Sequence, residues 1–548
     1  MKSIDIKINS KKITVLRGTK IRDLIEQKEI IDNQYVAALL NSKVVSFNYS
    51  IKSSCKINFL TPKDKQGHQI FMNSLTFLLF TAFHRLFPDK KLIISHSIGD
   101  SFYFYLEDGI ITSEMVEKIN NKMNEYVNNN LFIDVEFWDK DEAINFFKSD
   151  EDISNLLIYS SSNSFIVVSL DGYTTISITP IAQYTGVLKP FNLIHYNDGL
   201  VLHFPPYFQF PQFRTFDEKS KLFSIYKEHK KILSSIEIDT VGKLNEAIIR
   251  REAIDIILIA ETIQMAKITE IAQQIVSRPD VKLVTIAGPS SSGKTTFSKK
   301  LMVALRSLGF PAFAISLDDY FVDREKTPRD EKGDYDFECI EALDIDYFNQ
   351  NMNDILSRKQ VELPLFDFVS GSRKKEGIIH KPKENEIIII EGIHGLNPKL
   401  TYKIDKKYLF KIYISPLTQL NISPEIRIPT TRARLIRRMV RDFRYRGVSA
   451  VSTLARWPAV VKGEEKNIFP YQNNADMFFD SALIYEQAIL RTFAEPLLKS
   501  VPLESEYYTE ASILLDFILH FVPIPADYVP NTSLLREFIG SSLYIQNF

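Results

Sequence analysis

Residues 282–288, KLVTIAG, form an apolar run of the length of one buried strand, and Thr295 to Leu308 carries a helical pattern stopped by Gly309. Between them stands Gly288-Pro289-Ser290-Ser291-Ser292-Gly293-Lys294-Thr295, a GxxxxGK[ST] pattern. Strand, glycine-bracketed loop and helix together restrict the fold more than any other stretch of the chain. Glycines at 288 and 293 let the backbone turn tightly, so that successive N–H groups point inward at the positive end of the helix dipole. Such a loop holds phosphate oxygens. Its candidate nucleotide-binding residues are Gly288, Ser290, Ser291, Ser292, Gly293, Lys294, Thr295 and Thr296, with Lys294 reaching the β and γ phosphates and the Thr295 hydroxyl placed for Mg²⁺. The alternative, a solvated Gly/Ser turn, does not account for the strand before it and the helix after it.

A loop of this kind implies a nucleotide and leaves the reaction open. A second strand, AFAIS, runs into Leu317-Asp318-Asp319-Tyr320-Phe321, and a third, EIIIIEG over 386–392, ends in Glu391. Both put a carboxylate at the carboxyl end of a strand, where open α/β sheets bind ligands. One acid beside a metal-nucleotide can hold the metal while another accepts the proton of an attacking hydroxyl. Asp318 is assigned as the base, with access to the metal, and Glu391 as the metal-side acid; Asp319 is equally a turn residue. Over 430–447 the run TTRARLIRRMVRDFRYRG places Arg434, Arg437, Arg438 and Arg441 on one helical face. Arginines without lysine suit bidentate phosphate clamping, and a solvated basic face or RNA patch is the alternative.

The remaining sequence bounds the setting. At 548 residues the chain needs several domains, and 67 Lys+Arg against 68 Asp+Glu exclude a global basic field. Its two cysteines, Cys55 and Cys339, have no disulfide or zinc spacing, so a reducing cytoplasm is expected. The apolar windows at 74–83 and 253–260 are too short for a bilayer and read as buried helix segments. Composition shifts divide the chain into a small β-rich module over 1–62, a mixed domain over 63–212 ending in proline-rich PPYFQFPQF, a helical connector over 213–278, an alternating α/β domain over 279–500, and an extension over 501–548 packing on it.

The loop, SLDDYF, PLFDFVSGSRK at 364–374, IIIIEGIHGL and the arginine helix, in this order over about 280–500, resemble the uridine kinase and phosphoribulokinase group of P-loop kinases, uridine kinases most closely. The resemblance implies ATP and Mg²⁺ as cofactors and a nucleoside substrate whose 5'-hydroxyl is deprotonated by Asp318. It implies ribose binding by Asp336, base contact by Phe366 and Phe368, further substrate contacts by Tyr320 and Arg373, and closure over the phosphates by Arg434, Arg437, Arg438 and Arg441, with Arg437 and Arg441 catalytic. The chain departs from the family's pattern in two places: Phe366 replaces a tyrosine, and Gly371 stands where those kinases carry a histidine that contacts the pyrimidine.

The front half resembles another family. Residues 1–62 look like a TGS domain, the ubiquitin-like β-grasp module of threonyl-tRNA synthetases, and residues 63–212 like the editing domain that follows it there. The editing site's two histidines fall on Asn73 and Phe77, and its Cys and His on Ser177 and Ile181. Phe77 and Ile181 can neither ligate metal nor move protons, so no editing hydrolysis is expected.

The expectation is an α/β chain: a P-loop NTPase-type parallel-sheet kinase domain preceded by a β-grasp domain and an α+β editing-like domain. The expected activity is ATP-dependent phosphorylation of a pyrimidine nucleoside, uridine foremost. A kinase of another small alcohol and a nucleotide-switched RNA-binding or regulatory protein are the alternatives. A homo-oligomer and RNA binding through the front domains stay open as partners, and no membrane association is expected.

Overall fold

A computed structural model describes residues 3–545 apart from 9–10, 28–33, 217–222, 224–225, 227–232, 234–235, 330–332 and 418–419. Much of the first part of the connector expected over 213–278 therefore lies outside the described residues. The chain divides into two compact units: residues 1–251, 419–428 and 498–523 form the first, and 252–418, 429–497 and 524–548 the second. The stretch expected as a single extension over 501–548 is thus split. Asn245 explains its first part: its amide donates to the His520 carbonyl at 2.7 Å and accepts from the Val522 N–H at 2.8 Å, both inside the first unit.

The first unit opens with five strands, Ser3–Ile8, Lys11–Leu16, Ala37–Leu40, Lys43–Val45 and Cys55–Leu60, around the helix Ile21–Gln27. Their spatial order is second, first, fifth, third, fourth, and the first and fifth pair in parallel, as in a β-grasp. Behind this module runs the helix Lys65–Leu86, whose residues 74–83 are all buried. Its Phe71, Leu75, Leu78 and Phe83 enter one core with Phe104 and Val168 from the two sheets of the mixed α+β region. The apolar run there is an internal helix, formed because a helix hydrophobic on all sides must be enclosed.

The second unit is built on a parallel sheet of Leu283–Ala287, Ala312–Ser316, Ile387–Glu391, Leu409–Ser415 and Met477–Asp480, with the Leu283–Ala287 strand in the middle. Numbered in chain order, these strands lie second, third, first, fourth, fifth, and all pair in parallel. Leu283, Val284, Ile286, Ile389, Ile390, Phe410 and Ile412 are buried, as a sheet covered on both faces requires. The helix Lys294–Ser307 lays Phe297 on Phe479 with ring centroids 4.3 Å apart.

The helix Ala253–Val276 packs against Lys294–Ser307 and departs from expectation, because Ile254 and Leu258 are 50% and 52% exposed while Ile256, Ile257 and Ala260 are buried. The run at 253–260 is a surface helix with one face buried and Ile254, Leu258 and Ile259 apolar on the other. Among the described residues no helix is long and apolar enough to cross a membrane.

Candidate active site

The GxxxxGK[ST] segment leaves the central strand and enters the helix Lys294–Ser307 as its sequence requires. Gly288 is needed for close approach: a Cβ there would lie 1.9 Å from the Ile414 carbonyl oxygen. Ser291 at φ 59° and Gly293 at φ 86° occupy the left-handed region. This conformation gathers backbone N–H groups into an anion-binding concavity.

Carboxylates of the chain itself take part of that concavity. The Ser290 N–H donates to Glu464 Oε1 at 2.8 Å, and the Thr296 N–H and hydroxyl donate to Glu537 Oε2 at 3.1 and 2.8 Å. Lys294 folds inward, donating to the Gly288 and Pro289 carbonyls at 2.9 and 3.2 Å. Anionic oxygens thus sit on donors that phosphate oxygens would use, so the loop fits a polyphosphate.

Sheet register brings the acids to the same edge. Glu391 ends its strand opposite Ser316 and Ile286, and its Oε1 accepts from the Thr295 hydroxyl at 3.2 Å. Asp318 follows Ser316 in the single turn Leu317–Tyr320, its N–H donating to the Ser316 hydroxyl at 3.3 Å. Asp318 is solvent-exposed and Glu391 half-buried, yet protein groups crowd round both carboxyls. The resulting desolvation raises Asp318 above the usual range against the pull of Lys294 and Arg446. It carries Glu391 to about 7, with Lys294 opposing and Asp318 reinforcing. Glu338 is likewise pushed to about 7, by desolvation and then by the neighbouring Glu464.

The arginine helix, Thr430–Arg446, divides by depth. Arg434 and Arg437, expected to close over phosphate, are only 2% and 0% exposed. Arg434 bonds Glu464 at 2.5 Å and the Ser290 carbonyl at 3.3 Å. Arg437 pairs with Glu486 and reaches the Ser291 carbonyl at 3.4 Å. Both therefore brace the phosphate loop from beneath, because the helical face that carries them is turned into the protein. Arg438 donates to the Ser290 hydroxyl at 2.8 Å, and Arg438, Arg441 and Arg446 share Asp442.

The expected substrate residues separate similarly. Tyr320 is 0% exposed and takes a hydrogen bond from Asn351 at 3.1 Å, which makes it a core residue and corrects its reading as a contact. Arg373 is engaged by the Phe321 and Tyr320 carbonyls at 3.1 and 3.2 Å and by Asp344 at 3.1 Å, so it props the segment after Asp318. Phe366 and Phe368 lie 5.2 Å apart and pack on Phe321 at 5.7 and 6.4 Å. Asp336 is half-buried, with Lys466 3.8 Å away.

In the first unit the four editing positions do converge. Asn73 donates to the Thr179 hydroxyl at 2.6 Å and Ser177 to its carbonyl at 2.6 Å, with Phe77 and Ile181 buried beside them. No group of three or more His, Cys, Asp or Glu among the described residues could hold a metal ion.

Sequence reasoning did not find Glu464, Glu537, Glu338 or Asp442. Only Asp442 had a local signal, as the lone acid in the arginine run, four residues from both Arg438 and Arg446. The two loop-binding glutamates come from helices after the loop in sequence, and no spacing announces them.

Parallel sheet, phosphate loop and acids at the carboxyl edge define a P-loop α/β unit of the nucleotide-binding kind. Residues 283–484 match the phosphoribulokinase / uridine kinase family. Uridine kinase of Staphylococcus aureus is 30% identical over 196 residues, covering 36% of this chain and 85% of that enzyme. The chain belongs to this family. Its N-terminal portion matches threonine–tRNA ligase of Clostridium kluyveri, 33% identical over 142 residues, 26% of this chain and 22% of the ligase. The chain thus spans about a fifth of that ligase's length. A solved D-glycerate 3-kinase from Cryptococcus neoformans aligns at 16% identity with a TM-score of 0.21, covering 46% of this chain and 88% of that one.

Two outcomes follow from this geometry. Replacing Arg437 by methionine leaves Glu486 buried without its partner and is expected to lower stability by about 3–5 kcal/mol in denaturant unfolding; an unchanged midpoint would contradict the bracing role. Glu391, ordinarily near 4.5 and about 7 in the fold, contributes most as a neutral carboxyl, and that contribution is lost as pH rises through about 7. Glu391→Gln should therefore melt above wild type at pH 8, with the difference shrinking toward pH 5. A difference independent of pH would contradict the raised carboxyl.

Proposed function

We propose that this protein is an ATP-dependent kinase that phosphorylates the 5'-hydroxyl of a pyrimidine nucleoside, uridine foremost. The observation that carries this reading is the meeting of Lys294 and Thr295 with Asp318 and Glu391 at one sheet edge. Membership of the uridine kinase family supports the substrate class.

In this reading Lys294 swings from the Gly288 and Pro289 carbonyls to the β and γ phosphates, and the loop N–H groups hold the remaining oxygens. Thr295 and Glu391 are the residues that would hold Mg²⁺. The metal, once bound, offsets charge on the β and γ phosphates and favours the ionised form of Glu391. Asp318 accepts the proton of the 5'-hydroxyl as its oxygen bonds to the γ-phosphorus and the bond to the β–γ bridging oxygen breaks, leaving ADP. A carboxylate with a raised proton affinity is a better base for that step. Arg438, on the Ser290 hydroxyl, and Arg441, paired with Asp442, are the arginines that would meet the transferring group, whereas Arg434 and Arg437 fix the loop's shape. Asp336 takes ribose hydroxyls, and the exposed Phe368 offers a face to the base, with Phe366, expected to share that contact, buried behind it.

The nucleotide displaces the Glu537 carboxylate now on Thr296. Glu537→Gln should accordingly lower the KM for ATP several-fold, since a neutral amide competes less well for the Thr296 donors; an unchanged or higher KM would contradict that competition. The reaction is tested by incubating protein with Mg·ATP and a panel of nucleosides and sugar phosphates and identifying products by mass spectrometry. Uridine or cytidine monophosphate is expected, and Asp318→Asn should lose about 10²–10⁴-fold in kcat while retaining ATP binding. Another phosphorylated alcohol would overturn the nucleoside assignment, and an active Asn variant the base.

A further inference from the structure

We infer that Arg324 is a specificity-determining residue that reads the carbonyl edge of the substrate's base; this rests on the kinase reading. Four observations place it. The Phe366–Asp367 strand turns back through Gly371, at φ 72°, to Ser372–Arg373. A Cβ on Gly371 would lie 2.6 Å from Nε and Cζ of Arg324, so the guanidinium fills the space that any side chain at 371 would need. The Arg324 N–H is tied to the Gly371 carbonyl at 2.8 Å, and its Nη2 donates to the Phe368 carbonyl at 3.0 Å. Among the described residues that is the guanidinium's only hydrogen bond, which leaves Nε, Nη1 and one N–H of Nη2 as donors.

The surroundings suit a flat heterocycle. Phe368 and Phe337 are 58% and 40% exposed, and both pack edge-on against Phe321, at 6.4 and 6.2 Å. Aromatic side chains left this open, beside a guanidinium held by backbone, offer stacking and directed donors together. The patch is linked to the chemistry through Asp319, whose Oδ1 accepts from the Phe366 N–H at 3.2 Å one residue after Asp318.

The donors decide the base. A guanidinium has no acceptor, so it satisfies ring carbonyls and opposes an exocyclic amino group, which is left facing N–H against N–H. Uracil presents carbonyls at both positions 2 and 4, whereas cytosine carries an amino group at position 4. Facing position 4, where the uracil oxygen accepts and the cytosine amino group donates, Arg324 favours uridine over cytidine, and a larger residue at 371 would push the guanidinium aside.

The test measures kcat/KM for uridine and for cytidine, and KM for ATP, in wild type and in Arg324→Gln and Arg324→Ala. Wild type should prefer uridine by about tenfold or more. Gln, which can present either a donor or an acceptor, and Ala, which presents neither, should both bring the ratio to within about threefold with KM for ATP unchanged. A uridine-to-cytidine ratio that stays the same in both variants would overturn the role of Arg324 and leave the kinase reading standing. Phosphorylation of neither nucleoside by wild type would overturn both.

Discussion

Two ion pairs lie beneath the phosphate loop, and its shape depends on them. Arg434 with Glu464 and Arg437 with Glu486 are buried from water, where an unpaired charge costs several kcal/mol and a paired one is held in a single geometry. Each guanidinium also reaches a loop carbonyl, Ser290 or Ser291. With those carbonyls drawn down and Ser291 and Gly293 at positive φ, the loop's N–H groups face the cleft. The arginine helix is thus joined to the loop before any ligand arrives, and Glu464 serves both as partner of Arg434 and as acceptor for the Ser290 N–H.

The same enclosure shapes the acids. Asp318, Glu338 and Glu391 all hold their protons more tightly than free carboxyls because surrounding protein groups desolvate them in part, and Lys294 lowers each. Carboxyls of this kind at the end of a parallel sheet form a site short of positive charge. A divalent cation and the arginines around Asp442 are the natural complements, which connects the electrostatics to phosphoryl transfer.

The parallel sheet, the loop and the places of Asp318 and Glu391 were readable because each follows from a local pattern: an apolar run, a glycine pair, an acid at a strand end. What was not readable depends on which way a face turns. Helical spacing put Arg434, Arg437, Arg438 and Arg441 together, but only packing shows that the first two point into the protein, that Arg438 reaches the Ser290 hydroxyl and that Arg441 pairs with Asp442. Tyr320 sits in a motif beside the base and still belongs to the core, since a one-residue step along a tight turn reverses the side chain. The run at 253–260 is a surface helix for a related reason: apolar composition does not say how much of a helix is covered. Glu464 and Glu537 act across sequence separations of 174 and 241 residues, beyond any motif. In the front half, Asn73 and Ser177 both bond Thr179, and Phe77 and Ile181 can neither ligate metal nor move protons.

The central claim is that one sheet edge holds nucleotide, metal and acceptor in register for transfer. A crystal structure with Mg²⁺, a non-hydrolysable ATP analogue and uridine tests it most directly. The account predicts metal on Thr295 and Glu391, polyphosphate on the loop with Glu537 moved off Thr296, and the uridine 5'-oxygen within about 3 Å of the Asp318 carboxylate. A nucleoside bound with its 5'-oxygen away from Asp318, or a nucleotide seated outside the loop, would contradict it.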